Sequence, residues 1–225
     1  KKTIFKVENK TNNKLKISSF NKILITFIGL LFLYIFYLLI PSIYDKDWVK
    51  DNIQTKLLRE FRLSLKSIED ISYRILPAPH FLIKDTNLLS NIPSSEKSIA
   101  EIRDLKIFLS QLNFFDKEKI VIKKVIINNA NFSLLRNDLK ELNNSTNSKF
   151  FNKKIQINKN NIFFKDNLGE IITIIKVNKA NFFYDDKKLE NQFNLKGDIF
   201  SIPFTFELKT KNDLTIEKIF LFKVN

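Results

Sequence analysis

The sequence predicts a mainly β protein carried on an N-terminal membrane helix, with one short amphipathic helix between the two. Three observations carry that prediction. Ile23–Ile40 is an uncharged run of eighteen residues, fourteen of them Leu, Ile or Phe. Apolar residues then recur at helical spacing through Lys46–Arg62. From Leu63 onward the period drops to two and stays there through about ten short segments.

The first element follows from length and composition. At 1.5 Å per residue, eighteen residues of helix cover about 27 Å, close to the roughly 30 Å of bilayer hydrocarbon. Only Thr26, Gly29, Tyr34 and Tyr37 depart from aliphatic or Phe. On an insertion scale the fourteen strongly apolar residues sum to about −4 to −8 kcal/mol, enough to insert. Lys1, Lys2, Lys6, Lys10, Lys14, Lys16 and Lys22 precede the run against one acid, Glu8. Lys excess marks the cytoplasmic side, so residues 1–22 are expected as a cytoplasmic tail, 23–40 as the anchor, and the rest outside the cytoplasm. The run ends YLLIPSIYDKD with no small-x-small site, which favours an uncleaved signal anchor over a cleaved signal peptide. The chain starts at Lys and holds no Met, and ends in an unclosed strand pattern; a fragment is expected.

Residues 41–62 form the juxtamembrane segment. Pro41 breaks the chain. Asp45 or Asp47 can cap a helix from about Lys46 to Arg62, whose stripe is Val49, Ile53, Leu57 and Phe61. Trp48, the only Trp, stands a few residues past the anchor; a place at the membrane interface, with Lys22 on the other side, is one reading, and packing on the first strand is the other.

Residues 63–225 are expected as a β domain. Pro77 and Pro79 bar a helix and a central ladder in Ser72–Asn91 and suggest an edge strand or a strand-to-strand crossing there. Ile99–Ser110 alternates, with Leu105, Ile107 and Leu109 on one face. Ile120–Asn128 and Asn131–Arg136 read as two strands joined at Asn-Asn-Ala. Phe151–Ile157, Asn161–Lys165, Glu170–Val177, Asn181–Tyr184, Phe193–Ile199, Phe204–Leu208 and Ile216–Phe222 read as further strands. Turn chemistry stands at 165–169 (KDNLG), 185–188 (DDKK) and 211–213 (KND), and loops at 91–95 and 138–148. So few helices cannot cover so many strands. Their apolar face must meet a second sheet, as in a β-sandwich, close on itself as a barrel, or hold something that is not protein.

Composition limits the chemistry. Cysteine is absent, so there are no disulfides, no thiolate catalysis and no Cys metal sites; three Gly exclude a Gly-rich phosphate loop. Net charge is +14, of which +8 remains after the tail. The lysines are scattered singly, so nucleic-acid binding is not expected. His80, the only His, has no Ser/Asp partners in the sequence and reads as a strand residue; Asp185-Asp186, followed by two Lys, reads as a solvated turn. No enzyme signature, cofactor site or metal site is expected.

The order of features in Tyr37–Asn91 resembles the AsmA family of envelope proteins. ILPAPHFLIKDTNLL (75–89) is similar to its proline-punctuated segment, AEIRDLKIFLSQLNFF (100–115) to its next strand, and IVIKKVIINNANFSLLRND (120–138) to its paired strands. Where the family commonly has a Thr-Gly turn, this chain has Glu60-Phe61-Arg62. The resemblance implies a twisted antiparallel sheet forming an open groove rather than a β-sandwich. It also implies an inner-membrane-anchored periplasmic protein concerned with phospholipid transport or outer-membrane and envelope assembly. Its partner would be phospholipid acyl chains. The groove candidates are Leu105, Ile107, Leu109, Phe132, Leu134, Phe193, Leu195, Phe204, Phe206 and Leu208. The alternative function is a non-enzymatic anchored scaffold that binds an envelope protein.

Overall fold

In the computed structural model, residues 18–66, 68–89, 97–136, 153–211 and 218–224 are described. They contain two compact units, one ending at Tyr37 and one beginning at Leu38. The loops expected at 91–95 and 138–148 and most of the turn at 211–213 lie outside the described residues.

Helix α1 spans Ser19–Leu39, about 32 Å at 1.5 Å per residue. With the 3-10 turn Ile40–Ile43 it makes the one helix among the described residues long and apolar enough to cross a membrane. Pro41 sits within that turn and ends the α-helix, because it lacks the N–H that a continuing helix needs.

Helix α2 covers Lys46–Phe61, within one residue of the predicted span. Asp45 is its cap: the carboxylate accepts from the Trp48 backbone N–H at 2.8 Å. At the other end Arg62 takes the left-handed conformation (φ 50°), and Leu63 N–H bonds the Leu57 carbonyl at 3.1 Å. Gly usually fills such a position.

Ten strands among the described residues make one twisted, open sheet: β1 (Ser64–Leu65), β2 (Asp70–Arg74), β3 (His80–Leu89), β4 (Ser98–Leu109), β5 (Ile122–Leu135), β6 (Lys154–Lys165), β7 (Ile171–Asp185), β8 (Glu190–Ile199), β9 (Ile202–Lys211) and β10 (Lys218–Val224). Their order is β1-β3-β4-β5-β6-β7-β8-β9-β10, with β2 beside β1 on the same edge of β3. Contrary to the edge position expected for Ser72–Asn91, β3 is paired on both edges, because it begins only after Pro79 and so contains no proline. The sheet does not close into a barrel. Neighbours are antiparallel except β5 and β6, which run parallel at a constant offset, Lys124 opposite Lys154 through Leu135 opposite Lys165. A parallel pair needs a long return connection, and residues 136–153 supply the length.

Three sequence-predicted breaks are not breaks. The segments split at Asn129, Lys159 and Asn178 are single strands β5, β6 and β7. Asn129 (φ 52°) and Lys159 (φ 55°) sit left-handed inside their strands, as does Asp85 (φ 49°) in β3. The pairings put these residues in one transverse row, level with Arg103 of β4 and Asn178 of β7. On each of these five strands the inward residues are spaced by three instead of two across the row: Ile83/Thr86, Ile102/Leu105, Ile127/Ala130, Ile157/Asn160 and Val177/Ala180. The row ends at β8, where a bulge between Val177 and Lys179 absorbs the extra residue. Asn and Asp tolerate the left-handed region, so turn-like residues continue a strand here and shift its faces.

Asn160 repairs the ladder where the row crosses β5–β6. Pairing is interrupted between Asn128–Asn158 and Asn131–Asn161. The buried Asn160 side chain fills that gap: its oxygen accepts from Ala130 N–H, and its Nδ2 donates to the Ile127 carbonyl at 3.3 Å.

Candidate functional site: an apolar open face

One face of the sheet is largely apolar, and it divides into a sealed part and an open part. Over β2–β5, helix α2 lies on it. The α2 stripe Val49, Ile53, Leu57 and Phe61 is buried, as are Ile71, Phe81, Ile83, Leu105, Ile107, Val125 and Ile127 of the strands. Polar ties hold α2 in place across the sheet: Gln54 Nε2 to the Leu65 carbonyl (3.1 Å), Lys56 Nζ to the Ile120 carbonyl (2.6 Å), and Glu60 paired with Lys153. Lys153 stands just before β6, so α2 stops where β6 begins.

Beyond that point the same face is open. Val177, Ala180, Leu195 and Phe204 form a buried floor, and Ile157, Ile162, Ile175, Phe193, Ile199 and Phe206 pack on it half-buried. Phe182, Phe193 and Phe206 touch edge to face in sequence, with ring centroids 6.5 and 5.9 Å apart, and Phe204 stacks on Phe222 at 5.5 Å. Aromatic contact thus runs from β7 to β10. Gly197 fits the floor because a Cβ there would be driven into the Lys176 carbonyl and would meet the Phe204 ring at 3.4 Å. Five strands at about 4.8 Å spacing give a face roughly 19 Å across.

The opposite face of these strands is mixed: Phe163, Ile174, Phe183 and Leu221 stand there among polar residues that bond one another. Asn128 accepts from Asn158 (3.0 Å), Asn131 from Asn161 (3.1 Å) and Asp198 from Asn178 (2.8 Å). The parallel offset sets Asn opposite Asn, so two of these bonds are direct products of register. At one end of the open face Asn191 donates to the Thr210 hydroxyl at 3.0 Å, both side chains buried beside Tyr184.

A model of the AsmA family matches residues 17–199. The chain belongs to the AsmA family. The match takes in α1, α2 and the sheet from β1 to β8. A search of the curated proteins finds no match. Membership in the AsmA family associates the chain with the cell envelope, and the open β-sheet behind an apolar N-terminal helix agrees with the fold expected from the resemblance.

The ten groove candidates fall in two places. Leu105, Ile107 and Leu109 are fully buried in the part sealed by α2. Phe132, Leu134, Phe193, Leu195, Phe204, Phe206 and Leu208 lie on the same face beyond or beside it. Sequence reading missed Ile157, Ile162, Ile175, Val177, Ala180 and Phe222. Their signal was alternation, hidden by the three-residue step at the transverse row. Trp48 is half-buried, edge-on to Tyr44 at 6.0 Å with Lys117 Nζ 4.9 Å from its ring. Lys22 lies in the first turn of α1, its carbonyl accepting from Thr26 at 2.9 Å.

His80 opens β3, buried, stacked on Phe108 at 4.9 Å with Nδ1 2.8 Å from the Ala78 carbonyl. Burial pushes its imidazole below the ordinary value, and Lys106 and Arg74 push the same way against the Ala78 hydrogen bond. Asp185 accepts from the backbone N–H of Lys187 (3.0 Å) and Lys188 (3.3 Å), which makes it a turn residue. Among the described residues no three His, Asp or Glu converge as metal ligands.

Proposed function

We propose that this AsmA-family protein is a single-pass inner-membrane protein whose periplasmic β domain holds phospholipid acyl chains on the open face of β6–β10, as a conduit or part of one. The observation that carries the reading is the change along one continuous apolar face, from a dry core under α2 to a Phe- and Ile-lined trough without a protein cover among the described residues. A water-facing apolar surface of that extent is costly unless something covers it. An acyl chain fits the requirement: each buried CH₂ contributes about 0.8 kcal/mol, so roughly ten methylenes contribute about 8 kcal/mol without any specific contact. The Lys-rich segment before α1 supports a cytoplasmic N-terminus. The groove works by solvation, and no reaction is catalysed. Family membership supports a role in phospholipid transport or envelope assembly.

The test is native mass spectrometry of the full chain purified in mild detergent. Phospholipid should remain bound and be lost when Leu195 and Phe206 are both changed to Asp. A lipid-free protein would favour the anchored scaffold that binds an envelope protein.

A further inference from the structure

The end of the sheet that is bonded to Leu38 and Tyr44 carries a second apolar surface, separate from the groove. Four residues on three neighbouring loops project there: Ile43 (81% exposed), Leu76 (81%), Leu112 (70%) and Phe115 (82%). Leu76 belongs to the β2–β3 loop; Leu112 and Phe115 belong to the β4–β5 loop. Hydrogen bonds join the bases of these loops and tie the end of β2 and the β4–β5 loop to the residues that end the candidate span. Leu109 N–H bonds the Pro79 carbonyl at 3.0 Å, joining one loop to the other. Tyr73 donates to the Leu38 carbonyl at 2.6 Å, and Tyr44 donates to the Phe114 carbonyl. The apolar stretch that can cross a membrane runs to Ile43. The bases of these loops are therefore tied to the C-terminal end of that apolar stretch. Trp48 and Tyr44, a ring pair of the kind enriched at membrane interfaces, stand just past that end in the chain.

We propose that Ile43, Leu76, Leu112 and Phe115 form a membrane-docking surface, in which the β2–β3 and β4–β5 loop tips insert into the headgroup region of the leaflet from which α1 emerges. The occupant is a lipid surface because the loops are bonded to the end of a membrane span. The polar ring of Tyr44 and the indole of Trp48 suit an interface better than a dry protein contact. Docking fixes the domain on the bilayer at several points instead of one, which a single flexible junction could not do. The inference rests on the anchor reading above but not on the lipid-filled groove.

The absence of Cys makes the test direct. The full chain is placed in nanodiscs of phosphatidylethanolamine and phosphatidylglycerol, with a polarity-sensitive fluorophore on one of Leu76→Cys, Leu112→Cys, Leu168→Cys, Phe200→Cys or Gly29→Cys. Leu168 and Phe200 are equally exposed tips at the opposite strand ends. Spin-labelled lipids then quench at shallow or deep positions. The expected result is strong shallow quenching at 76 and 112, none at 168 and 200, and deep quenching at 29. Quenching at 29 without quenching at 76 and 112 overturns the docking surface and leaves the anchor standing. No quenching at any position overturns both. A blue shift at 76 and 112 without lipid quenching means a protein cover or a second copy, and also overturns it.

Discussion

Replacing Asn160 with Leu removes two hydrogen bonds that nothing else in the β5–β6 junction can make. Asn160 is 2% exposed, and it satisfies Ala130 N–H and the Ile127 carbonyl where the strand pairing is interrupted. Leu keeps the same branched heavy-atom skeleton, though its methyls are bulkier than the amide, so the change is chiefly the loss of polar partners. Each of the two buried backbone groups left unsatisfied costs about 1–3 kcal/mol, and the extra apolar burial returns roughly 1 kcal/mol, so the net loss is about 1–5 kcal/mol. That is a large share of the about 5–15 kcal/mol typical of a domain. The matched control is Asn161→Leu one residue on, which loses an exposed bond to Asn131 and should cost about 0.5 kcal/mol or less. Urea unfolding of the full chain in detergent, read by Trp48 fluorescence, gives both numbers. Hydrogen exchange at the Ala130 amide reports the site itself and should accelerate only in Asn160→Leu. Equal midpoints for the two variants, or unchanged protection at Ala130, would refute the claim that this side chain stands in for the missing ladder.

Other predictions follow from the divided face and its surroundings. Ile107→Ala, in the sealed part, should cost about 2–5 kcal/mol in the same urea titration, whereas Phe206→Ala, half-buried in the open part, should cost less and instead lower lipid retention. Gly197→Ala should destabilise by about 1–3 kcal/mol and loosen hydrogen-exchange protection along β7–β8, because the new methyl meets backbone at Lys176. His80 has its folded pKa depressed, so its neutral form stabilises the fold above the unfolded value of about 6.5, and that stability is lost as pH falls below it. Unfolding midpoints measured from pH 7.5 down to about 5 should decline, and His80→Phe should flatten the decline.

The parts of the fold set by local chemistry were legible in the residues. An uncharged run long enough to span, an Asp followed by a four-spaced stripe, and turns such as Asp166-Asn167-Leu168-Gly169 each impose their structure within a few residues. The Asp166 carboxylate indeed takes the Leu168 and Glu170 N–H groups at 2.9 and 2.8 Å. Asn129, Lys159 and Asn178 misled because an Asn-rich triplet has the same local meaning in a turn and in a strand irregularity; only the neighbouring strands decide. The parallel β5–β6 pair and the repair by Asn160 are tertiary facts for the same reason. Shared alternation poses the last limit: Leu105, Ile107 and Leu109 alternate just as Phe193 and Leu195 do, yet α2 seals the first set and leaves the second open. Periodicity identifies which face is apolar. What covers that face depends on where a distant helix comes to rest.

In the proposed function lipid occupies the open face and not the sealed one. The most direct measurement places a photo-crosslinking phenylalanine analogue in the membrane-embedded full chain at Leu195 or Phe206, at Ile107, or at Thr205 on the back of the sheet, and identifies adducts by mass after illumination. Phospholipid adducts at Leu195 and Phe206, with none at Ile107 or Thr205, are the predicted result. Protein adducts or none at Leu195 and Phe206, or lipid adducts spread equally over both faces, would contradict it.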